Sequence, residues 1–238
     1  MRKRRVYLSF FVLLLVGVFL AVFRPEREPE YGGKKLSEWV ESYGLPEQWD
    51  SSNRFRAACF SNADKAIGHI GTNAVPYLVG WVLYEQPRWK WRLHYRLGAI
   101  LRETPNRAGF RDKRLQRAAG ATLAFKALGS EASQAIPVLS QALTEPERTT
   151  SAIYIAAALD SIGADASPGL VVGLTNNHDW VRGWISTELS QMGTNARAAL
   201  PALLSLLQYS DPIVRDQASN VVRRIDAHAL ESTDKRAN

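Results

Sequence analysis

The fold of this chain is decided by a stretch that recurs along it, and its clearest copy, residues 192–204, reads MGTNARAALPALL. Gly193 follows a run of helical periodicity, and Pro201 opens a second apolar run. Glycine often ends a helix because it adopts positive φ without steric cost, and proline suits the first helical turn because the N–H there has no intrahelical partner. The stretch therefore predicts two helices joined by a tight connection.

Three further copies of this stretch lie upstream. The glycines are Gly71, Gly129, Gly163 and Gly193, and the matching prolines are Pro76, Pro137, Pro168 and Pro201. The last two intervals between glycines are 34 and 30 residues, a period typical of helical-hairpin repeats. The first interval, 58 residues, is long enough to hold an additional helix, which we predict at residues 88–103.

The repeats predict helices that come in pairs. The predicted pairs are residues 52–70 with 74–84, 111–128 with 132–143, 150–162 with 167–174, and 179–192 with 196–208. A last half-repeat at 211–225 precedes a polar tail at 226–238. With 46% hydrophobic residues, the chain has enough apolar side chains to bury a core between such pairs.

A second motif opens the helices predicted at 179–192 and 211–225, as Asp179-Trp-Val-Arg182 and as Asp211-Pro-Ile-Val-Arg215. Aspartate at a helix start accepts hydrogen bonds from free backbone N–H groups, so we expect both aspartates to be N-caps. Together with the Gly–Pro stretch, these residues resemble HEAT repeats, including the HEAT-like repeats of phycobilisome lyases. The resemblance covers residues 52–225 and implies an all-α fold, a right-handed α-solenoid of helical hairpins.

The N-terminus carries a predicted transmembrane helix. Residues 6–23 contain no charge, and the preceding cations are Arg2, Lys3, Arg4 and Arg5. At about 1.5 Å per residue, a helix of this length nearly spans a hydrocarbon core of about 30 Å. No small-x-small cleavage site follows it, which favours an uncleaved signal anchor over a cleaved signal peptide. The basic flank predicts a cytoplasmic N-terminus and a repeat domain that is periplasmic or extracellular, in a single-pass protein of a bacterial inner membrane.

Residues 24–51 read as a juxtamembrane linker. Several glycines and prolines break this stretch into short pieces, and one brief helix is predicted at residues 35–43. Within that helix Leu36, Trp39 and Val40 share a face, as the spacing of an amphipathic helix requires.

Motifs for metal, cofactor or nucleophile chemistry are missing from the sequence. The single cysteine, Cys59, excludes an intrachain disulfide, and the four histidines do not stand at ligand spacing. No glycine-rich phosphate loop and no nucleophile motif is present. The candidate acids Asp160, Asp165, Asp179 and Asp211 are predicted to cap helices. We therefore expect no catalytic residue, no metal and no cofactor, and a protein that is not an enzyme.

The chain has a net charge of +7, and much of the positive excess lies in residues 84–117, which contain ten basic and three acidic residues. The candidate partner-binding residues on the additional helix are Arg88, Arg92, Arg96, Trp91 and Tyr95. Arginines at i, i+4 and i+8 form one row on a helix. Trp89 begins an apolar stripe that we expect to pack into the core. Two interpretations remain open: a solvated outer helix face, or a binding surface for an acidic partner.

The sequence as a whole favours a non-catalytic, membrane-tethered scaffold that binds another protein through its repeats. One alternative is a binder of an anionic ligand or nucleic acid through residues 84–117, although the predicted side of the membrane disfavours nucleic acid. The other is a HEAT-like enzyme of the lyase or DNA glycosylase type. The residues that best match the site of such an enzyme are Trp180 and Trp184, which stand at i and i+4.

Overall fold

The computed structural model describes residues 27–43, 53–87, 89, 92, 96, 112–145, 148–226 and 228–229, with the backbone alone for 53–59. Most of these residues lie in helices, so the all-α class is confirmed. Within these ranges no helix combines the length and the apolar composition that a membrane crossing needs. The predicted anchor at residues 6–23 lies outside them.

The helices of the described ranges occur close to the predicted positions. They are α1 (Leu36–Glu41), α2 (Asn53–Ile70), α3 (Val75–Val82), α4 (Lys113–Leu128), α5 (Ile136–Leu143), α6 (Thr150–Ile162), α7 (Ser167–Val171), α8 (Asp179–Met192), α9 (Leu200–Leu206) and α10 (Pro212–Ile225). The additional helix predicted at 88–103 is described only at Trp89, Arg92 and Arg96, which are all helical.

The four recurring glycines behave as predicted, because each has a positive φ. The values are 62° at Gly71, 54° at Gly129, 110° at Gly163 and 52° at Gly193. The four prolines Pro76, Pro137, Pro168 and Pro201 each occupy the first turn of the following helix. Glycine therefore ends one helix and proline begins the next, as the asymmetry of helix termini requires.

A short 3₁₀ helix, which the sequence did not predict, fills each connection between glycine and proline. These segments are Gly71–Ala74, Gly129–Ala135, Ala164–Ala166 and Gly193–Ala199. The predicted helix starts at 74, 132 and 196 were therefore one to four residues early. Because 3₁₀ and α turns have similar backbone angles and suit similar residues, composition does not separate them.

The helices form two rows. In the first row α2, α4, α6, α8 and α10 contact one another in chain order, and in the second row α5, α7 and α9 do the same. Helix α3 contacts α4 and the 3₁₀ segment that precedes α5. Fully buried side chains such as Phe125, Leu139, Leu159, Leu170 and Leu189 come from both rows. The core therefore lies between the rows, and burial of each such side chain contributes about 1.5–3 kcal/mol.

The segment before α2 is part of this packed structure. Strands β1 (Glu30–Tyr31) and β2 (Lys34–Lys35) form a small antiparallel hairpin. The sequence predicted only the helix that follows the hairpin. Leu36 and Val40 of α1 are fully buried, and α1 contacts both α2 and α4.

Helix α1 approaches α4 closely at Gly120. A Cβ at Gly120 would lie 2.4 Å from the carbonyl oxygen of Val40, a distance at which atoms overlap. Arg117 Nε donates a hydrogen bond of 2.6 Å to the Glu41 carboxylate beside this contact. Residues 27–43 thus have a fixed place against the repeats.

The two Asp–Val–Arg motifs differ at their helix starts. The carboxylate of Asp211 accepts a hydrogen bond of 2.8 Å from the N–H of Ile213, so the predicted cap of α10 is confirmed. The prediction for Asp179 was wrong, because His178 occupies the N-cap of α8 and Asp179 lies inside the first turn. The α8 motif has one residue fewer between aspartate and valine, which moves its aspartate one position into the helix.

In both motifs the arginine donates a hydrogen bond to the loop that precedes its helix. Arg182 Nη1 donates to the carbonyl of Asn176, and Arg215 Nη1 donates to the carbonyl of Tyr209, both at 2.7 Å. In each case the acceptor lies six residues before the arginine. Arg182 is buried and also pairs with Asp179, so both arginines have a structural role.

Candidate functional site

Helix α8 presents an exposed stripe of four residues. Trp180, Trp184, Thr187 and Gln191 stand at i, i+4, i+7 and i+11, a spacing that places them on one helix face. All four side chains are exposed, and the two indoles are 45% and 43% exposed. The stripe therefore passes from an aromatic end near the start of α8 to a polar end near its C-terminus.

Helix α10 repeats this stripe 33 residues later. The matching residues are Ile213, Gln217, Asn220 and Arg224. Ile213 is 50% exposed, so the end that aligns with Trp180 is again apolar. Because α8 and α10 are neighbours in the first row, the two stripes lie side by side. We call these eight residues the α8–α10 face.

A groove of about 740 Å³ lies at the polar end of this face. Its lining comes from Ser186, Thr187, Ser190 and Gln191 of α8 and from Asn220, Arg223 and Arg224 of α10. These side chains are hydroxyls, amides and guanidinium groups. The groove thus offers hydrogen-bond donors and two positive charges, which is a lining that suits an anionic group.

The two groove arginines differ in their partners. Arg223 donates to Asn220 Oδ1 at 3.2 Å and to Ser219 Oγ at 3.0 Å, so its guanidinium is oriented by its own helix. Arg224 is exposed and makes no ion pair or hydrogen bond within the described part of the chain. The Arg224 guanidinium is therefore available to a ligand.

Comparisons with known proteins do not identify the chain. It matches no family model, no curated protein and no solved structure. The resemblance to HEAT repeats therefore rests on the residues of the chain alone.

Two half-buried carboxylates, Asp160 and Glu188, lie on the neighbouring helices α6 and α8. Burial raises the pKa of Asp160, and Lys126 of α4 opposes that change. Burial and the charge of Asp160 both raise the pKa of Glu188. The prediction that Asp160 caps a helix was wrong, because it lies near the C-terminal end of α6. The three residues form a charge cluster across neighbouring helices of the first row.

Three of the five candidate partner-binding residues on the additional helix lie outside the described residues. Arg92 and Arg96 are exposed and helical, whereas Arg88, Trp91 and Tyr95 are not described. The expectation that Trp89 packs into the core was wrong, since its side chain is 63% exposed. Helical periodicity shows which residues share a face, but it does not show whether another helix covers that face.

Both ends of the segment that carries this row are held in place. Tyr84 Oη donates to the carboxylate of Asp112 at 2.9 Å, which joins the residues on either side of the segment. The Glu85 carboxylate accepts four hydrogen bonds at the start of α6. The donors are Thr149 Oγ1 at 3.1 Å, Thr150 N at 2.9 Å, Ser151 N at 3.0 Å and Ser151 Oγ at 2.7 Å. Burial opposes ionisation of Glu85, but these hydrogen bonds outweigh it and lower its pKa.

No metal site is formed by the described residues, since no three of their His, Cys, Asp or Glu side chains are placed to hold an ion. The α8–α10 face was only partly visible to sequence reasoning. Trp180 and Trp184 stood out, but the match between Trp180 and Ile213 needed the 33-residue register between the two helices.

Proposed function

We propose that this protein is a non-catalytic scaffold that binds a protein partner through the α8–α10 face. The proposal includes the architecture, a right-handed HEAT-like α-solenoid. It is supported by the two rows of helices that contact one another in chain order, because repeat solenoids bury their core between successive hairpins. Such folds bind ligands along extended surfaces and need no enclosed active site.

The observation that carries the proposal is the clustering of exposed large apolar side chains on neighbouring helices. Trp180, Trp184 and Ile213 each expose between 43% and 50% of their surface. Single exposed apolar residues are ordinary, but a cluster at matching positions of adjacent helices is typical of an interaction site. Tryptophan is also enriched among the residues that dominate binding energy at protein interfaces.

The proposed membrane anchor would hold this scaffold close to the bilayer. Only residues 24–26 separate the predicted span from Arg27. The carbonyl of Arg27 accepts a hydrogen bond of 3.1 Å from Tyr77 Oη, so the chain already contacts the repeats at that residue. At about 3.5 Å per residue, the connection reaches about 14 Å. We therefore propose a repeat domain at the membrane surface, on the periplasmic or extracellular side.

A second candidate surface is the additional helix, where an acidic partner or another anionic ligand would bind. The exposure of Arg92, Arg96 and Trp89 supports this candidate, since an exposed indole beside guanidinium groups can contact a ligand.

Site-specific photocrosslinking in the native membrane tests the proposal. A photoreactive amino acid at Thr187, on the α8–α10 face, should give a discrete adduct with another protein. The same amino acid at Val138, an exposed position on α5 in the second row, is the control and should not. Adding Trp184→Ser to the Thr187 variant should abolish the adduct. Equal adducts at both positions, or none at Thr187, would refute the proposal.

A further inference from the structure

We infer that the α8–α10 face binds an extended peptide segment with a large apolar side chain at one end and carboxylates about five residues away. This inference rests on the proposed function and specifies the segment of the partner that is recognised. Three properties of the face carry it: its apolar end, its cationic end, and the distance between them.

The apolar end is formed by Trp180 and Ile213, which occupy matching positions of α8 and α10. Trp184 follows one turn later on the same side of α8. Two indoles and a branched aliphatic side chain lose unfavourable contact with water when an aliphatic or aromatic side chain covers them. This end of the face therefore selects a bulky apolar residue.

The cationic end is the groove, where Arg223 and Arg224 lie among hydroxyl and amide groups. A guanidinium group donates two parallel hydrogen bonds to a carboxylate, and such charge-assisted bonds are stronger than neutral ones. The Ser186 hydroxyl and the Gln191 amide of α8 can complete the coordination of the same anion. This end therefore selects one or two acidic side chains.

The distance between the two ends follows from helix geometry. Trp180 and Gln191 are eleven positions apart, as are Ile213 and Arg224. At about 1.5 Å per residue, the two ends are about 16 Å apart. An extended peptide advances about 3.3 Å per residue, so it covers this distance in about five residues.

Polar side chains midway along the face favour an extended backbone there. Gln217 and Asn220 lie between Ile213 and Arg224 on α10, where Gln217 is half-buried and Asn220 is exposed. Their amide groups can donate hydrogen bonds to peptide C=O groups and accept them from peptide N–H groups. An extended peptide leaves these backbone groups unpaired, whereas a helical peptide pairs them internally.

The charges along the face favour a peptide over a nucleic acid. Asp179 is 87% exposed beside the apolar end, and Asp216 is exposed on α10. A single strand of nucleic acid carries a phosphate at every nucleotide and needs cations along its whole path. The two arginines that line the groove, Arg223 and Arg224, lie at one end of the α8–α10 face. A ligand with acidic groups at one end is therefore the better match.

Fluorescence anisotropy with the full chain in lipid nanodiscs tests the inference. The probes are dye-labelled peptides with one leucine, a glycine–serine spacer of one to nine residues, and two glutamates. Binding should be tightest with a spacer of four residues, about ten-fold weaker with one residue, which cannot span the two ends, and about three-fold weaker with nine residues. The double variant R223Q/R224Q should weaken binding about ten-fold, yet leave unchanged the weaker binding of a matched probe in which glutamines replace the glutamates.

Two variants serve as matched controls. R197Q removes an exposed arginine of the 193–199 segment that is not among the residues lining the groove, and it should bind every probe as the wild type does. Trp184→Ala should weaken binding of the glutamate and glutamine probes alike. Tyr209→Ala, which removes another exposed aromatic side chain, should weaken neither.

Several outcomes would overturn the inference. The inference fails if affinity does not depend on spacer length. It also fails if R197Q weakens binding as much as R223Q/R224Q does, because the position of the arginines would then not matter. A single-stranded DNA probe that binds through Arg223 and Arg224 while the peptides do not would assign the face to nucleic acid. If no probe binds but the Thr187 crosslink persists, the peptide inference fails and the scaffold proposal stands. Loss of the crosslink instead refutes the scaffold proposal.

Discussion

The contact between α1 and α4 makes a sharp prediction about Gly120→Ala. The added Cβ would lie 2.4 Å from the carbonyl oxygen of Val40 and 2.7 Å from its Cγ1. Ordinary contacts of a Cβ are longer than this by about 1 Å or more, so α1 must move away from α4. Overpacking of this kind costs about 1–3 kcal/mol. We therefore expect the free energy of unfolding to fall by that amount.

The cost has an upper limit, because α1 can separate from α4 instead of accepting strain. Leu36 and Val40 are fully buried, and burial of two such side chains is worth about 3–6 kcal/mol. A loss near this limit should appear as faster hydrogen exchange in residues 27–43, while α6 and α8 keep their protection. A smaller loss should leave exchange in this segment close to that of the wild type.

The assay is urea denaturation of the full chain in detergent, combined with hydrogen exchange followed by mass spectrometry. The control is Gly68→Ala, in α2, where an added Cβ meets nothing within 4 Å. Alanine is preferred to glycine inside a helix, so this control should stabilise the protein by about 0.5–1 kcal/mol. If Gly120→Ala were also stabilising, α1 would not lie against α4 as described.

Four further predictions follow from single side chains. Glu85→Gln should destabilise the protein at neutral pH. The difference in urea midpoint between wild type and variant should vanish as pH falls through the lowered pKa of Glu85, because only the ionised carboxylate stabilises the fold. Glu188→Gln should raise Tm at pH 7, and this gain should shrink on acidification through the raised pKa of Glu188, since protonation also removes the buried charge and its repulsion from Asp160. Asp211→Ala should cost about 1 kcal/mol in urea denaturation by removing the cap; Asp179→Ala should also destabilise the protein, because it removes the ion-pair partner of the buried Arg182. Trp89→Ala should leave Tm nearly unchanged because the indole is 63% exposed, and a large fall in Tm would show that it is packed.

Features that depend on a few neighbouring residues were predictable from the sequence. Gly193 and Pro201 mark a helix end and a helix start because positive φ and a missing N–H are properties of single residues. Asp211 caps α10 because its carboxylate reaches an N–H two residues ahead. The all-α class follows from repetition of these local signals.

The same reasoning failed wherever the outcome depended on register or on a distant contact. Asp179 was expected to be a cap, but one residue fewer before Val181 places it inside the first turn of α8. Trp89 has the periodicity of a core residue, yet its side chain is exposed.

The sequence by itself determined where most of the helices lie and which glycines end them, because these features follow from backbone preferences and hydrogen bonds within a few residues. Only the tertiary structure decided that residues 27–43 lie against α4, since that contact depends on the missing Cβ of Gly120 opposite Val40. It also decided that the stripes of α8 and α10 lie side by side with a polar groove at one end. Such a surface exists because packing of the buried faces fixes which exposed faces become neighbours.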